Sequence, residues 1–211
     1  MFITFEGLDG SGKTTIIELI GKKITENFPT QQFIITREPG GKDLAIAEDI
    51  RSIILNINYE IDTLTEAVLF AASRRLHLNK IIKPALAANK LVLCDRYVDS
   101  SLAYQGGGGK AGEAKILELN KLVIDNLWPE ITFLFKISPE EAFNRILKAD
   151  TTFDRIEKKS LSFFQRVSDS YNKLAAENPN RYVIIDATEN IETVLEKVWV
   201  VLESRVFNAI K

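Results

Sequence analysis

The sequence is poor in the residues that carry soft-metal and redox chemistry, with one cysteine and one histidine in 211 residues. A single thiol excludes an internal disulfide framework, and a single imidazole leaves too few ligands for a zinc site. Cys94 ends the apolar run Leu91-Val92-Leu93 and is expected as a buried, reduced thiol. Six prolines and eleven glycines are too few for a collagen-like or low-complexity chain. An excess of one charge is also missing. The 27 basic and 29 acidic residues leave a net charge of −2 and a pI near 5.6, so no nucleic-acid surface is expected. Apolar runs such as Ala67–Ala72 fall far short of the roughly 18 residues of a membrane span. With no basic leader in Met1–Glu6, the chain is expected to be soluble and cytoplasmic, with no membrane partner.

What is present suits one large domain over residues 1–211, long enough to bury a core without staples. Short β-branched runs alternate with helical patterns. Strands are expected at Phe2–Glu6, Phe33–Thr36, Leu91–Cys94, Ile131–Lys136 and Tyr182–Asp186, apolar throughout as in a parallel sheet covered on both faces. Helices are expected at Thr14–Asn27, Leu44–Leu55, Thr63–Leu78, Glu113–Leu127, Ser138–Leu147, Glu157–Asn178 and Ile191–Val206. Ser138-Pro139-Glu140-Glu141 reads as a capping box, and Pro179 as a stop. The alternation predicts a three-layer α/β/α domain. Gly106–Gly109 and Lys148–Phe153 break the pattern and are expected as mobile loops.

Gly7-Leu8-Asp9-Gly10-Ser11-Gly12-Lys13-Thr14 matches the P-loop pattern, between an apolar strand and an amphipathic helix. Glycines let backbone N–H groups converge on phosphate oxygens, and the helix N-terminus adds its positive dipole end. Lys13 would neutralise the β- and γ-phosphates, and the Thr14 hydroxyl would bind Mg²⁺. ATP or a similar triphosphate is the expected ligand. Asp95, after four apolar strand residues, stands where a P-loop protein holds Mg²⁺ through water.

Arg96 follows Asp95 where an ATP-driven motor would place a water-activating glutamate. A cation suits clamping a phosphoryl group or an anionic acceptor. None of the four Asn-Lys pairs, at 79, 89, 120 and 172, continues to the aspartate of a GTPase base-reading motif. A kinase is therefore favoured. Thr36-Arg37-Glu38-Pro39-Gly40-Gly41 ends the second strand on the same carboxyl edge of the sheet, where ligands bind. Arg37 could reach an acceptor phosphate there. Such an acceptor needs no general base, so His77 is unneeded and is expected at the surface. Phe70 and Arg74, four apart on one helix, share a face. Taken alone they read more simply as a core aromatic and a solvated arginine.

Together these residues resemble the thymidylate kinase family. The resemblance runs through Phe5–Thr15, Thr36–Gly41, Phe70–Arg74, Asp95–Gly106 and Asp154–Glu157. It implies a five-stranded sheet of order 2-3-1-4-5, a lid at about residues 145–157, and usually a homodimer. It also implies transfer of the γ-phosphoryl group of ATP to dTMP, with Mg²⁺. By the same resemblance Phe70 would stack on thymine and Arg74 would bond a base carbonyl. Arg37 and Arg96 would hold the acceptor phosphate, and Asp9 would contact the sugar 3′-hydroxyl. Tyr104 would pack near C2′, with Ser101 and Gln105 beside the base. Relatives with no arginine in the P-loop supply a cation from the lid; here Arg145, Lys148 and Arg155 are the candidates. A kinase for another nucleoside monophosphate or a deoxynucleoside stays open, as does a binding protein that has lost transfer. Arg37, Arg74 and Arg96 together argue against the last.

Overall fold

The structure, a computed structural model, describes residues 1–41, 44–148 and 154–207. Five parallel strands form one sheet: β1 (Phe2–Gly7), β2 (Phe33–Arg37), β3 (Leu91–Asp95), β4 (Ile131–Lys136) and β5 (Tyr182–Asp186). Their order is β2-β3-β1-β4-β5, as the family resemblance implies. The register sets Phe5 beside Asp95, Arg37 beside Asp95 and Gly7 beside Phe135, so the chemistry-bearing strand ends share one edge. β1 is buried along its whole length, whereas the outer strands β2 and β5 leave Ile35 and Ile184 exposed. The inner strands thus explain their continuous apolar runs by burial on both faces.

Helices flank the sheet. They are α1 (Lys13–Asn27), α2 (Ala45–Leu55), α3 (Thr63–His77), α4 (Lys83–Ala87), α5 (Val98–Ser101), α6 (Glu113–Ile124), α7 (Pro139–Lys148), α8 (Leu161–Glu177) and α9 (Ile191–Leu202). α1 packs on α9, where Phe28 stacks on Phe207 with ring centroids 4.1 Å apart. Among the described residues no helix is long and apolar enough to cross a membrane. Cys94 is a buried free thiol, as expected.

Several boundaries differ from the expected ones, each for a local reason. α3 does not stop at Leu78 but runs through a π-helical turn, Leu78–Ile82, into α4. Pro84 cannot donate to a helical ladder, and the wider turn precedes it. α6 stops at Ile124 because Asp125 and Asn126 adopt positive φ. The helix expected from Glu157 begins at Leu161. Asp154 Oδ1 accepts from the amides of Ile156 (2.8 Å) and Glu157 (2.9 Å), and Ser160 then caps α8 at Phe163 N. Side chains that bond the backbone outside a helix compete with it. The Ser138 hydroxyl accepts from Glu141 N at 3.1 Å, so half of the expected capping box forms.

The glycine run corrects its expectation. Gly106–Gly108 belong to a π-helical segment, Leu102–Gly108, packed between α6 and α8. A Cβ on Gly108 would stand 2.6 Å from Val167 Cγ2, and one on Gly107 2.7 Å from Ser170 Cβ. These glycines serve close approach, not mobility. Residues 149–153 of the expected lid lie outside the described residues.

Candidate active site

The P-loop joins β1 to α1. Gly7 has φ +138°, and a Cβ there would meet the Phe135 carbonyl oxygen at 2.5 Å, so β4 leaves no room for a side chain. Gly10 has φ +76° and a similar clash with the Ala142 carbonyl at 2.6 Å. Lys13 folds into the loop it belongs to. Its ammonium donates to the carbonyls of Leu8 (2.8 Å) and Gly7 (3.2 Å) and to Ser11 Oγ (3.2 Å). Burial, reinforced by repulsion from Arg96, pulls its pKa down to about 8. Thr14 Oγ1 donates to Asp95 Oδ2 at 2.7 Å, and Asp95 Oδ1 is buried with no partner among the described residues. A hydroxyl beside a carboxylate with a spare oxygen is a donor set suited to a hard divalent cation.

Beside the loop lies a cleft of about 730 Å³. Its walls include Asp9, Arg37, Phe70, Arg74, Arg96, Ser101, Tyr104 and Gln105, which are all of the expected acceptor residues, together with Thr14 and Asp95. The elements that bring them together are the β2 turn, the α3 face and the stretch after β3.

Arg96 is the hub. It follows β3 with φ +69°, its amide bonded to Phe5 O at 3.0 Å. Its guanidinium donates to Asp9 Oδ1 (2.5 Å), Gly7 O (2.9 Å) and Ser100 Oγ (3.0 Å). Burial pushes the Asp9 carboxyl up, but Arg96, Lys13 and the Tyr104 hydroxyl together hold it below its usual range. Tyr104 OH donates to Asp9 Oδ2 at 2.9 Å; burial raises its pKa, so the phenol stays a neutral donor. Underneath, the fully buried Glu6 accepts from Tyr97 N (2.7 Å), Ser100 Oγ (2.6 Å) and Tyr171 OH (2.8 Å). Burial and the nearby Asp99 push Glu6 up to about 7. Nothing in the sequence singled it out beyond its place beside the P-loop.

Arg74 is 1% exposed, not solvated. It donates to Glu38 Oε2 (2.7 Å), Tyr97 O (3.0 Å), Ser101 Oγ (3.1 Å) and Asn120 Oδ1. Of its five N–H groups these bonds leave one to spare. His77 overturns its surface expectation, being fully buried. Its Nδ1 lies 3.0 Å from Glu38 Oε1 and its Nε2 2.6 Å from Thr36 Oγ1. It stands three residues after Arg74 and so on the same helical face, which was the available signal. The chain His77–Glu38–Arg74 locks the β2 turn to α3.

Arg37 is half exposed and bidentate to Glu48, both bonds 3.0 Å. Arg51, which sequence reading missed, lines the same end of the cleft and donates to Pro39 O at 3.0 Å. Burial and the neighbouring Arg37 lower its pKa. Arg51 shares the face of α2 that carries the fully buried Ala47 and Ile54, and a cation in a buried stripe was its signal. Of the three candidate lid cations, Arg155 is buried, paired with Glu66 and bonded to the Ile54 carbonyl. Arg145 pairs with Glu141 at 2.7 Å, and Lys148 is exposed at the end of α7.

A sequence profile described as "Thymidylate kinase" matches residues 5–198. Among curated proteins, the thymidylate kinase of Latilactobacillus sakei is 44% identical, over 92% of this chain and 90% of that one. That of Mycoplasmopsis agalactiae is 42% identical over 94% and 92%, and that of Staphylococcus haemolyticus 42% over 95% and 96%. The crystal structure of thymidylate kinase from Ehrlichia chaffeensis superposes with a TM-score of 0.78 at 37% identity, covering 96% of this chain and 98% of that one. With a P-loop, an arginine-lined cleft beside it and this breadth of similarity, the chain belongs to the thymidylate kinase family.

Proposed function

We propose a division of labour among the cleft residues of a chain that, as a member of this family, is a dTMP kinase: it transfers the γ-phosphoryl group of ATP to dTMP, giving ADP and dTDP. One observation carries the proposal, namely that all the acceptor residues line a single cleft opening beside the P-loop. The ATP phosphates lie over the backbone amides of Gly7–Thr14. The Lys13 ammonium, now satisfied by loop carbonyls, turns to the β- and γ-oxygens. Thr14 and Asp95 would hold Mg²⁺, which when bound would offset charge on the transferring phosphoryl group. The unpartnered Asp95 Oδ1, beside the Thr14 hydroxyl, supports that fit.

The dTMP phosphate lies at the cationic end, between Arg37, Arg51 and Arg96. An oxygen of this dianion attacks the γ-phosphorus directly, so no side chain has to remove a proton. Charge cancellation and alignment do the work. Asp9 takes the sugar 3′-hydroxyl while its other oxygen orients Arg96. Tyr104 fills the space a 2′-hydroxyl would need. Phe70 stacks on the base, and the spare Arg74 N–H reaches a base carbonyl. The lid spans about residues 145–157, and Arg145 and Lys148 are the cations on its α7 side. We place the enzyme in the cytoplasm, where the free thiol of Cys94 stays reduced.

A coupled ADP-release assay with ATP, Mg²⁺ and, in parallel, dTMP, dUMP, UMP, dCMP and dGMP tests the assignment. Strong preference for dTMP, lost in Arg96→Ala, is expected. Transfer to dTMP undiminished in that variant would remove Arg96 from the acceptor clamp.

A further inference from the structure

Glu6, the residue before the P-loop, is fully buried and forms no part of the cleft wall. Its carboxylate nevertheless reaches Arg96 by two routes. Oε1 accepts from Tyr97 N at 2.7 Å, which pins the peptide that follows Arg96. The Arg96 amide itself donates to Phe5 O at 3.0 Å, so β1 holds this positive-φ residue by the peptides on both sides. The second route is through side chains. Oε2 accepts from Ser100 Oγ of α5 (2.6 Å) and from Tyr171 OH of α8 (2.8 Å). Arg96 Nη1 in turn donates to Ser100 Oγ at 3.0 Å and to Gly7 O at 2.9 Å. An ionised carboxylate only accepts, so both hydroxyl hydrogens turn to Glu6 and the Ser100 lone pairs face the guanidinium. Burial and Asp99 work against that charge, whereas Ser100, Arg96 and Tyr171 favour it.

We propose that Glu6 is a positioning residue: through the Tyr97 amide and the Ser100 and Tyr171 hydroxyls it sets the Arg96 guanidinium to receive the acceptor phosphate. This rests on the reading above, in which Arg96 clamps that phosphate. With both Nη1 hydrogens taken by Gly7 O and Ser100, the plane of the guanidinium is fixed before a ligand arrives. The clamp then needs no reorganisation at the moment of binding. Glu6 touches neither substrate nor reacting atoms. It acts through Arg96 alone.

The test is calorimetric binding of dTMP and of thymidine, which lacks the phosphate, to the wild type, Glu6→Gln, Arg96→Ala and the double variant. In Glu6→Gln the amide oxygen keeps the Tyr97 N–H, and the amide nitrogen faces the hydroxyls. That nitrogen cannot accept, so one hydroxyl hydrogen is left over beside the guanidinium. The preference for dTMP over thymidine should fall by roughly tenfold or more, the scale of a hydrogen bond to a charged group. Removing a negative charge beside Arg96 would by Coulomb attraction alone raise that preference, so the sign of the change separates positioning from charge. In the Arg96→Ala background the added Glu6→Gln should leave the preference unchanged within about twofold. A merely structural role would weaken both ligands alike and leave the preference intact. That result, a raised preference, or an equal fall with and without Arg96 would overturn the inference while the site reading stands. A wild-type preference in Arg96→Ala would overturn both, because Arg96 would then not hold the phosphate. If Glu6→Gln does not fold, Ser100→Ala, which leaves the carboxylate its other two donors, carries the same expectation.

Discussion

At the scale of single residues, Arg96 combines two demands that conflict. Its side chain is the one proposed to clamp the acceptor phosphate, and its backbone sits at φ +69°, which costs a residue with a Cβ about 1–2 kcal/mol. Arg96→Ala and Arg96→Gly lose the same side-chain contacts and differ only in that strain. Both should lower kcat by roughly 10³-fold or more, the scale of an arginine finger. Arg96→Gly should nonetheless unfold at higher denaturant than Arg96→Ala, by about 1 kcal/mol. Equal midpoints would mean that the turn stores no strain. Such conflicts explain what single positions reveal in a sequence. The P-loop, Asp95 and Arg96 were legible because phosphate chemistry fixes their spacing. His77 and Arg51 were not, since their roles depend on what faces them: Glu38 for one and the Pro39 carbonyl for the other.

At the scale of elements, the segment Leu102–Gly108 shows how a correct composition signal can carry the wrong meaning. Four consecutive glycines suggest a flexible link, yet none of Gly106–Gly109 has the positive φ that would require glycine. What they permit is contact. α8 approaches so closely that a methyl on Gly108 would press on Val167 and Phe163, at 2.6 and 2.9 Å. Strand periodicity could not show this, because the partner helix lies some sixty residues away in sequence. Overpacking of this kind costs about 1–3 kcal/mol. Gly108→Ala should therefore unfold at lower denaturant and, because Tyr104 and Gln105 belong to the same segment, raise the KM for dTMP more than that for ATP. A variant as stable as the wild type, with both constants unchanged, would restore the loop reading. The division of the helix expected from Glu157 has the same character. Asp154 and Ser160 bond nearby amides in preference to a helical ladder, which a hydrophobic period alone does not register.

At the scale of the whole molecule, strand number and the parallel β/α alternation followed from sequence pattern, while the order β2-β3-β1-β4-β5 did not, since strand pairing is long-range and came only with the family resemblance. Association is legible neither in pattern nor in a single chain's core, so the surface is where a candidate interface is sought. Ile46 and Ile53 of α2, Leu64 and Val68 of α3, and Ile57 and Tyr59 between them are each between 42% and 54% exposed. α2 and α3 pack on each other. Exposed apolar clusters of this kind mark interaction surfaces more often than free ones. A second copy of the chain is the occupant we expect, as in the homodimer implied by the resemblance. α3 also carries Phe70 and Arg74 on its cleft side, so a partner pressed against its outer side would stiffen the wall that receives the base. Val68→Glu puts a charge on the exposed side of α3, at a residue that does not line the cleft. Light scattering should then show the wild type at twice the 23.8 kDa chain mass and Val68→Glu at the chain mass. The variant should keep its affinity for ATP at the P-loop and bind dTMP more weakly. A wild type that scatters as a monomer at micromolar concentration would remove the homodimer, and a dimeric Val68→Glu would move the interface elsewhere.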